Sequence, residues 1–145
     1  ATSRKATVVS GLALGVDYMA HFTTIADGGR TVAVLGNGLM TVYPAQHRNI
    51  ARAILTQGAV ICEVAPDAAV SAPGLVARNR LITGLSDAVI VIETAVDGGA
   101  MHAARFARSQ NRPLYTLDLP ATGNRELIDS GATVLDSDAL DTLFI

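Results

Sequence analysis

A continuous apolar, β-branched run from Ala88 to Ile92 constrains the fold of this chain more than any other feature. The run ends at Glu93, and a short segment then leads to Gly98-Gly99. A run that is apolar on both faces is typical of a strand buried in a parallel sheet. From Ala100 onward, small and apolar residues at helical spacing predict a helix. The order strand, glycine turn, helix is therefore expected here.

The same alternation of strand and helix recurs along the whole chain. The other predicted strands are Thr7 to Val9, Thr31 to Leu35, Ala59 to Glu63, Pro113 to Leu117 and Thr133 to Leu135. Such alternation predicts a doubly wound, three-layer α/β/α fold with a mostly parallel sheet. The chain has 145 residues and shows no linker or internal repeat, so we expect a single domain over residues 1–145.

Composition limits the kinds of partner. Hydrophobic residues make up 50% of the chain but aromatic residues only 4%, so the core must consist mainly of Ala, Val, Leu and Ile, and base-stacking surface is scarce. The formal net charge of −2 argues against a generally basic nucleic-acid coat. Any polyanion must therefore be bound by a local cluster.

The compartment is predicted from cysteine use and from the lack of membrane signals. Cys62 is the single cysteine, which excludes an internal disulfide framework and fits a reducing environment. We expect Cys62 to be a small buried hydrophobic residue. No apolar run approaches the roughly 18 residues of a membrane span, and no signal peptide opens the sequence. We therefore expect a cytoplasmic protein with no membrane partner.

Two features of the central stretch predict phosphate binding. The helix after Gly98 and Gly99 presents backbone N–H groups with a partial positive charge, and glycine allows an anion to approach them. Upstream, Arg78 and Arg80 flank Asn79, and guanidinium groups bind phosphate bidentately. Each feature has a simpler alternative: the glycine pair as a tight turn, and the arginines as a solvated helix face.

Further glycine turns follow the first two predicted strands. They contribute four glycines to the candidate phosphate-binding set, together with the serine that ends the first strand: Ser10, Gly11, Gly15, Gly36 and Gly38. Glycine at such junctions permits positive φ or close backbone approach. Asp17 is predicted to cap the following helix. His21 lies one turn later, where a carboxylate and a histidine form a possible acid–base pair, although a structural hydrogen bond is favoured.

The order of these motifs resembles that of the DprA/Smf family of DNA-processing proteins. The matching segments are SGLALGVDYMAH (Ser10 to His21), TVAVLGNGLMTVYP (Thr31 to Pro44), ICE (Ile61 to Glu63), ARNRLITGLSDAVIVIE (Ala77 to Glu93) and GNRELIDSGA (Gly123 to Ala132). The resemblance implies an extended Rossmann-like fold without catalytic activity. It also implies binding of single-stranded DNA in the cytoplasm during natural transformation, delivery of that DNA to the RecA recombinase, and dimerisation.

The resemblance also implies where DNA would bind. The segment Arg78-Asn79-Arg80 and the turns at Ser10-Gly11 and Gly98-Gly99 would line a pocket for the strand. No cofactor, metal ion or catalytic residue is expected.

The chain departs from the family pattern in four places, one of which is the replacement of small residues by Tyr18 and Met19. The family's opening strand and its phosphate motif of glycine, Ser/Thr and arginine are absent, so we expect a domain that is N-terminally incomplete relative to the family, with an unpaired sheet edge that promotes self-association. The usual Ser-Gly-Ser turn and later threonine are replaced by Gly98, Gly99, Ala100 and Ala103. His47 stands where an asparagine is usual after Tyr-Pro.

Two alternatives remain open. A non-catalytic module that senses a small nucleotide would need only the glycine turns with Arg78 and Arg80. The Lonely Guy phosphoribohydrolases, which cleave nucleoside monophosphates, also use a Gly-Gly turn, and Glu93 would then be a general acid or base. Their turn continues with Gly-Thr and a glutamate, whereas residues 100–104 here contain no carboxylate. The sequence therefore favours DNA binding, with the nucleotide-sensing module as the second choice.

Overall fold

The computed structural model describes residues 5–143, along which strands and helices alternate. In chain order the elements are β1 (Thr7–Ser10), α1 (Val16–Ala26), β2 (Arg30–Val34), α2 (Arg48–Ile54), β3 (Ala59–Ile61), α3 (Ala72–Ala77), α4 (Asn79–Gly84), β4 (Val89–Val91), α5 (Gly99–Ser109), β5 (Leu114–Thr116), α6 (Thr122–Asp129), β6 (Thr133–Val134) and α7 (Ser137–Leu143). A 3₁₀ turn, Ala45–His47, precedes α2. None of the helices in this part of the chain is long and apolar enough to cross a membrane.

The strands form two three-stranded sheets. The chain divides into two compact units, the first ending at Arg78 and the second beginning at Asn79. The first unit contains the sheet β1-β2-β3 and the second contains β4-β5-β6. Every pair of neighbouring strands is parallel. The predicted α/β class with parallel strands is confirmed, while the expectation of one domain over the whole chain stays a prediction.

The core of the first unit lies where β2 meets the helices. Its buried apolar side chains are Leu12, Ala33, Leu35, Ile50, Ala51 and Ile54. The central strand β2 is the most buried of its sheet, as expected for an apolar run between two parallel neighbours. Cys62 is only partly buried against this core, and its thiol donates to the carbonyl of Val64 at 3.4 Å. Cys62 therefore packs against the core as expected but is less buried than expected, because it directly follows β3, an edge strand of its sheet.

The core of the second unit is built by one face of α5 against β4 and β5. Met101, Ala104 and Ala107 recur every three residues along α5, and all three are buried. They pack with Val89, Val91, Leu114, Leu127 and Ala132. Spacing of three residues keeps side chains on one helix face, which explains how a helix with arginines on its other face contributes to the core.

The segment after β3 is more regular than the sequence indicates. Its content of Ala, Pro and Ser predicts an irregular stretch from Asp67 to Gly74, but α3 begins at Ala72. The Ser71 side chain accepts a hydrogen bond from the backbone N–H of Gly74, and a proline lies in the first turn, two features that favour a helix start. Glycine is also required here for packing: a Cβ at Gly36 would lie 2.7 Å from the carbonyl oxygen of Gly74, and a Cβ at Gly74 would lie 2.5 Å from that of Gly36.

Candidate nucleic-acid interface

The β1–α1 loop, residues 11–15, is held in place by side chains. Asp17 Oδ2 accepts hydrogen bonds from the backbone N–H groups of Gly11 at 3.0 Å and Ala13 at 3.1 Å. Leu12, between them, has φ 61°, a left-handed conformation that is uncommon for residues other than glycine. Gly15, with φ 83°, is the N-cap of α1 and makes no side-chain cap hydrogen bond. The prediction that Asp17 caps the helix is therefore wrong, because its carboxylate binds the preceding loop instead.

Arg78 lies buried beside this loop. Its side chain is only 7% exposed, and Nη1 donates hydrogen bonds to the carbonyl oxygens of Gly11 and Val34. Burial lowers the pKa of Arg78, and the nearby carboxylate of Asp17 opposes that shift. A Cβ at Gly11 would collide with the guanidinium group, so glycine is required there. Arg78 therefore connects the carboxyl ends of β1 and β2, and its predicted phosphate contact stays a prediction.

A pocket of about 330 Å³ opens beside the guanidinium of Arg78. It is lined by Gly11, Ala13, Leu14, Tyr43, Pro44, Leu75 and Arg78. Most of the wall is apolar, and Tyr43 is 46% exposed, so its ring offers an accessible aromatic surface. Pockets that combine apolar walls with one fixed charge suit a flat aromatic group attached to an anion. A nucleotide unit has this chemistry.

His47 is buried behind the pocket and bonds to the β1–α1 loop. Its Nδ1 donates to the carbonyl oxygen of Leu12 at 2.7 Å. The ring also packs against Tyr18, with ring centroids 4.9 Å apart and the planes tilted by 32°. Sequence reasoning noted His47 only as a departure from a family pattern, and no local signal indicated its distant partner. Its role follows from the fold.

His21 is a fully buried histidine of the first unit with one ring nitrogen lacking a hydrogen-bond partner. The hydroxyl of Thr31 donates its proton to the carbonyl of Val8, so Nδ1 of His21 must be the donor in its 2.6 Å contact with Thr31 Oγ1. Nε2 then remains as a buried acceptor without a partner. Burial lowers the pKa of His21 to about 4, although Asp17 acts in the opposite direction. The predicted structural role of His21 is confirmed.

The predicted glycines after β2 serve backbone packing. Gly36 approaches Gly74 as described above. The N–H of Gly38 donates to the carbonyl oxygen of Ala68 at 2.9 Å, and a Cβ at Gly38 would collide with the backbone of Pro66. These contacts explain both glycines without a ligand, so their predicted phosphate binding stays a prediction. Ser10 ends β1 and is half-buried.

The second unit contains the predicted glycine turn before α5. Gly98 is the N-cap of α5 in an extended conformation, and a Cβ there would collide with the hydroxyl of Thr94. Gly99 is exposed, and no atom lies within 4 Å of the position its Cβ would occupy. The first turn of this 11-residue helix is therefore accessible at Gly99. The accessible N–H groups of such a turn can bind an anion.

The β4–α5 loop, residues 92–98, is positioned by Asn124, which sequence reasoning missed. Asn124 is fully buried, and its Oδ1 accepts from the N–H of Thr94 at 2.9 Å. Its Nδ2 donates to the carbonyls of Ile92 at 2.8 Å and Leu117 at 3.1 Å. The dipeptide Gly123-Asn124 is typical of a turn, and the sequence predicts one here; that prediction is wrong, because both residues lie in the first turn of α6. The segment GNRELI contains no local signal for a buried amide.

Asn79 and Arg80 form the first turn of α4. The carbonyl of Asn79 accepts from the hydroxyl of Thr83 at 3.1 Å, and that of Arg80 accepts from Gln110 Nε2 at 2.9 Å. The side chain of Arg80 is exposed, in contrast to that of Arg78. Glu93, the acid considered for a hydrolase, is also exposed. No group of three or more potential metal-ligating side chains occurs within residues 5–143.

Curated relatives match most of this chain. Protein Smf from Synechocystis is 39% identical over 137 residues, which cover 91% of this chain and 34% of that protein. Protein Smf from Escherichia coli is 38% identical over 139 residues, covering 92% of this chain and 37% of the relative. DNA processing protein DprA from Streptococcus pneumoniae is 33% identical over 135 residues, or 90% and 48% of the two chains. The chain thus spans between a third and a half of these relatives.

Solved structures and a family model agree with these relatives. The structure of DprA from S. pneumoniae matches 97% of this chain and 51% of its own with a TM-score of 0.84 and 30% identity. DNA processing protein A from Helicobacter pylori, solved to study its single-stranded DNA binding mode, matches 95% of this chain and 66% of its own with a TM-score of 0.87 and 30% identity. The family model for DNA recombination-mediator protein A matches residues 1–143. The chain therefore belongs to the DNA recombination-mediator protein A family, that of the DprA and Smf proteins.

Proposed function

We propose that this chain binds single-stranded DNA without catalysing a reaction on it. The observation that carries the proposal is the similarity to the H. pylori protein, which binds single-stranded DNA and shares 30% identity over 95% of this chain. We also propose that it acts in natural transformation, in the cytoplasm, and that it delivers the bound DNA to RecA.

The pocket of the first unit offers the chemistry for one nucleotide unit. Stacking of a base on an aromatic side chain contributes roughly 1–3 kcal/mol and does not depend on base identity. Tyr43 provides the accessible ring, and Leu14 and Leu75 provide apolar contacts. Arg78 adds a positive charge in a poorly solvated place, where its attraction for an anion is stronger than at an open surface. Recognition of this kind tolerates any sequence.

Phosphate contacts are assigned to two groups of the second unit. The first is the accessible backbone at Gly99, where α5 begins. The second is the exposed guanidinium of Arg80. Arg78, which already donates to two backbone carbonyls, contributes charge to the pocket rather than serving as a mobile phosphate ligand. This assignment replaces the equal roles that the sequence suggested for the two arginines.

The test measures binding of a fluorescein-labelled oligothymidylate by anisotropy at several salt concentrations. Wild type should bind weakly, with an affinity that falls as salt rises. Tyr43→Ala should weaken binding by roughly tenfold or more, whereas Tyr43→Phe, which keeps the ring, should not. Leu39→Ala, at an exposed residue that does not line the pocket, is the control. A wild type that shows no salt-dependent binding contradicts the proposal.

The phosphate contacts are tested in the same assay. Arg80→Ala should flatten the slope of log affinity against log salt by about 0.7, the value for one phosphate neutralised on a single strand. A Cβ at Gly99 would lie in open space, so Gly99→Val should weaken binding by blocking the approach of a phosphate, whereas Gly84→Ala, whose Cβ would be in ordinary contact with Gln110, should not. An unchanged affinity in folded Gly99→Val protein would remove the α5 turn from the mechanism.

Self-association is the second partner proposal. β1 and β3 are the edge strands of the first sheet, and an edge strand has backbone groups available for pairing with another chain. Light scattering should therefore show a concentration-dependent increase in mass above that of one chain. A strict monomer across micromolar concentrations would contradict this part of the proposal.

A nucleotide-sensing module is the second candidate function. The pocket volume of about 330 Å³ lies near the lower end of the range for small-molecule sites, which suits one nucleotide. Competition separates the two functions. An unlabelled oligonucleotide should displace the labelled strand at far lower concentration than thymidine monophosphate if DNA is the ligand. Comparable potency of the two competitors would favour the nucleotide sensor.

A further inference from the structure

His47 connects two of the segments that line the pocket in the first unit. Tyr43 and Pro44 form one segment, and the chain then enters the 3₁₀ turn that contains His47, whose backbone N–H donates to the carbonyl of Pro44 at 3.0 Å. The ring Nδ1 donates to the carbonyl of Leu12 at 2.7 Å. Leu12 lies between Gly11 and Ala13, which line the pocket from the β1–α1 loop. One side chain therefore fixes the spacing of two wall segments.

Leu12 is the point at which this hydrogen bond acts. A leucine at φ 61° is strained relative to ordinary backbone, and such conformations persist only where the surroundings fix them. Three contacts do so here: Asp17 holds the N–H groups on both sides, the Leu12 side chain is fully buried, and His47 holds the carbonyl. Strained backbone fixed in this way is concentrated at ligand sites.

We infer that His47 is a positioning residue, which sets the separation of the β1–α1 loop from Tyr43-Pro44 and so prearranges the pocket for a nucleobase of the bound strand. The ligand in this inference rests on the proposed function. His47 itself is only 5% exposed and does not line the pocket, so it acts through the loop. A wall that is ordered before binding lowers the entropy that binding must remove, and affinity increases accordingly.

Two substitutions separate the hydrogen bond from the ring. In asparagine, the side-chain nitrogen is the same number of bonds from Cα as Nδ1 is in histidine, so His47→Asn keeps a donor for Leu12 and loses the ring. His47→Phe keeps a ring that can pack against Tyr18, whose ring centroid lies 4.9 Å from that of His47 in the wild type, and it loses the donor. If His47 acts by packing, the phenylalanine variant should bind the oligonucleotide more tightly than the asparagine variant. If His47 acts by positioning, the asparagine variant should bind more tightly.

The experiment compares wild type with both variants after circular dichroism confirms that each is folded. Affinity for the labelled oligothymidylate is measured at one fixed salt concentration, and NMR follows the intraresidue HN–Hα NOE of Leu12, which is strong when φ is positive. His47→Phe should bind about tenfold more weakly, the effect of losing one hydrogen bond, and should lose the strong NOE. His47→Asn should bind within about threefold of wild type and keep it.

The readouts distinguish failure of this inference from failure of the proposed function. If wild type does not bind the oligonucleotide, the proposed function fails, and the Leu12 NOE alone decides whether His47 positions the loop. If wild type binds and His47→Phe binds equally well, the inference is overturned. If His47→Phe does not fold, His47→Met, which fills similar space and has no N–H donor, takes its place under the same criteria.

Discussion

The two strand-to-helix loops of this protein are fixed by different chemistry. In the first unit, ionisable side chains hold the β1–α1 loop: Asp17 binds its N–H groups, and Arg78 and His47 bind its carbonyls. In the second unit, the neutral amide of Asn124 holds the β4–α5 loop, with further hydrogen bonds from the N-terminal turn of α6. Both arrangements satisfy buried backbone groups, but only the first places charges beneath the loop.

The two loops would attract an anion by different means. In the first unit, the buried guanidinium of Arg78 is a fixed part of the pocket wall and would attract an anion. The strength of that attraction depends on the burial of Arg78 and on the nearby charge of Asp17. At the β4–α5 loop, attraction comes from backbone N–H groups at the start of α5, whose partial charge does not titrate. Acid sensitivity comes from a different group of the first unit, His21, whose pKa burial lowers to about 4, so lowering the pH should weaken the first unit more than the second.

The largest expected effect is that of removing the buried cation. Arg78→Met leaves the carbonyls of Gly11 and Val34 without their charged donor, and hydrogen bonds to charged groups contribute about 1.5–3 kcal/mol each. We expect the free energy of unfolding, measured with urea, to fall by roughly 3–6 kcal/mol. Arg52→Met, the same change at an exposed site of the first unit, should alter it by less than about 0.5 kcal/mol. Equal effects of the two substitutions would show that the buried charge of Arg78 does not stabilise the β1–α1 loop.

Lowering the pH should be next in size. Between pH 6.5, the ordinary pKa of histidine, and the folded-state pKa of about 4, the unfolded chain takes up a proton on His21 that the folded chain does not. The free energy of unfolding therefore falls as pH falls, by about 3 kcal/mol at pH 4 from this group alone.

The control for the pH prediction is His21→Asn, which keeps a donor for Thr31 but cannot titrate. The difference in unfolding free energy between wild type and His21→Asn should change with pH below 6.5 and stay constant above it. Parallel pH profiles would contradict the assignment of acid sensitivity to His21. Hydrogen exchange at pH 5 would show whether amides of the first unit lose protection before those of the second.

Removing the neutral amide of Asn124 should lower the free energy of unfolding by a smaller amount, and that amount should not depend on pH. Asn124→Ala removes the hydrogen bonds that this buried amide makes to the N–H of Thr94 and to the carbonyls of Ile92 and Leu117, which we expect to cost about 2–3 kcal/mol of unfolding free energy. Urea unfolding at pH 7 and pH 5 should give the same loss relative to wild type. A loss that varies with pH would show that the second loop also depends on titrating groups.

The smallest effect is expected at the exposed end of the same loop. Thr122 Oγ1 accepts from the N–H of Val96 at 3.1 Å in a solvent-exposed position, where water can replace it. Thr122→Val, of nearly the same shape, should change the free energy of unfolding by no more than about 0.5 kcal/mol. A loss as large as that of Asn124→Ala would mean that burial is not what separates the strong contacts from the weak ones.

Local patterns predicted the elements well and their long-range contacts poorly. The apolar run that became β4 and the helical spacing in α5 are set by neighbours in sequence, so periodicity found both. Arg78 was found as a candidate, but its burial depends on a carbonyl 67 residues away, which no motif records. The same applies to Asn124, which bonds to the β4–α5 loop 30 to 32 residues earlier.

Asp17 shows why a correct residue was given the wrong role. An aspartate near a predicted helix start ordinarily caps that helix. Here Gly15 takes the N-cap position, and the left-handed turn at Leu12 brings the N–H groups of Gly11 and Ala13 to the carboxylate. A leucine gives no sequence signal for positive φ, so this turn and the hydrogen bonds that depend on it could not be predicted.

The contact between Gly36 and Gly74 has a consequence for how this domain can change through evolution. The space of each missing Cβ is filled by the carbonyl oxygen of the other residue, so a substitution at one position gains no room from any change at the other. Both residues are already glycine, the smallest residue, so a larger side chain at one position cannot be accommodated by a smaller one at the other. We expect descendants either to keep both glycines or to lose the direct packing of the loop after β2 against α3, with no gradual path between the two arrangements.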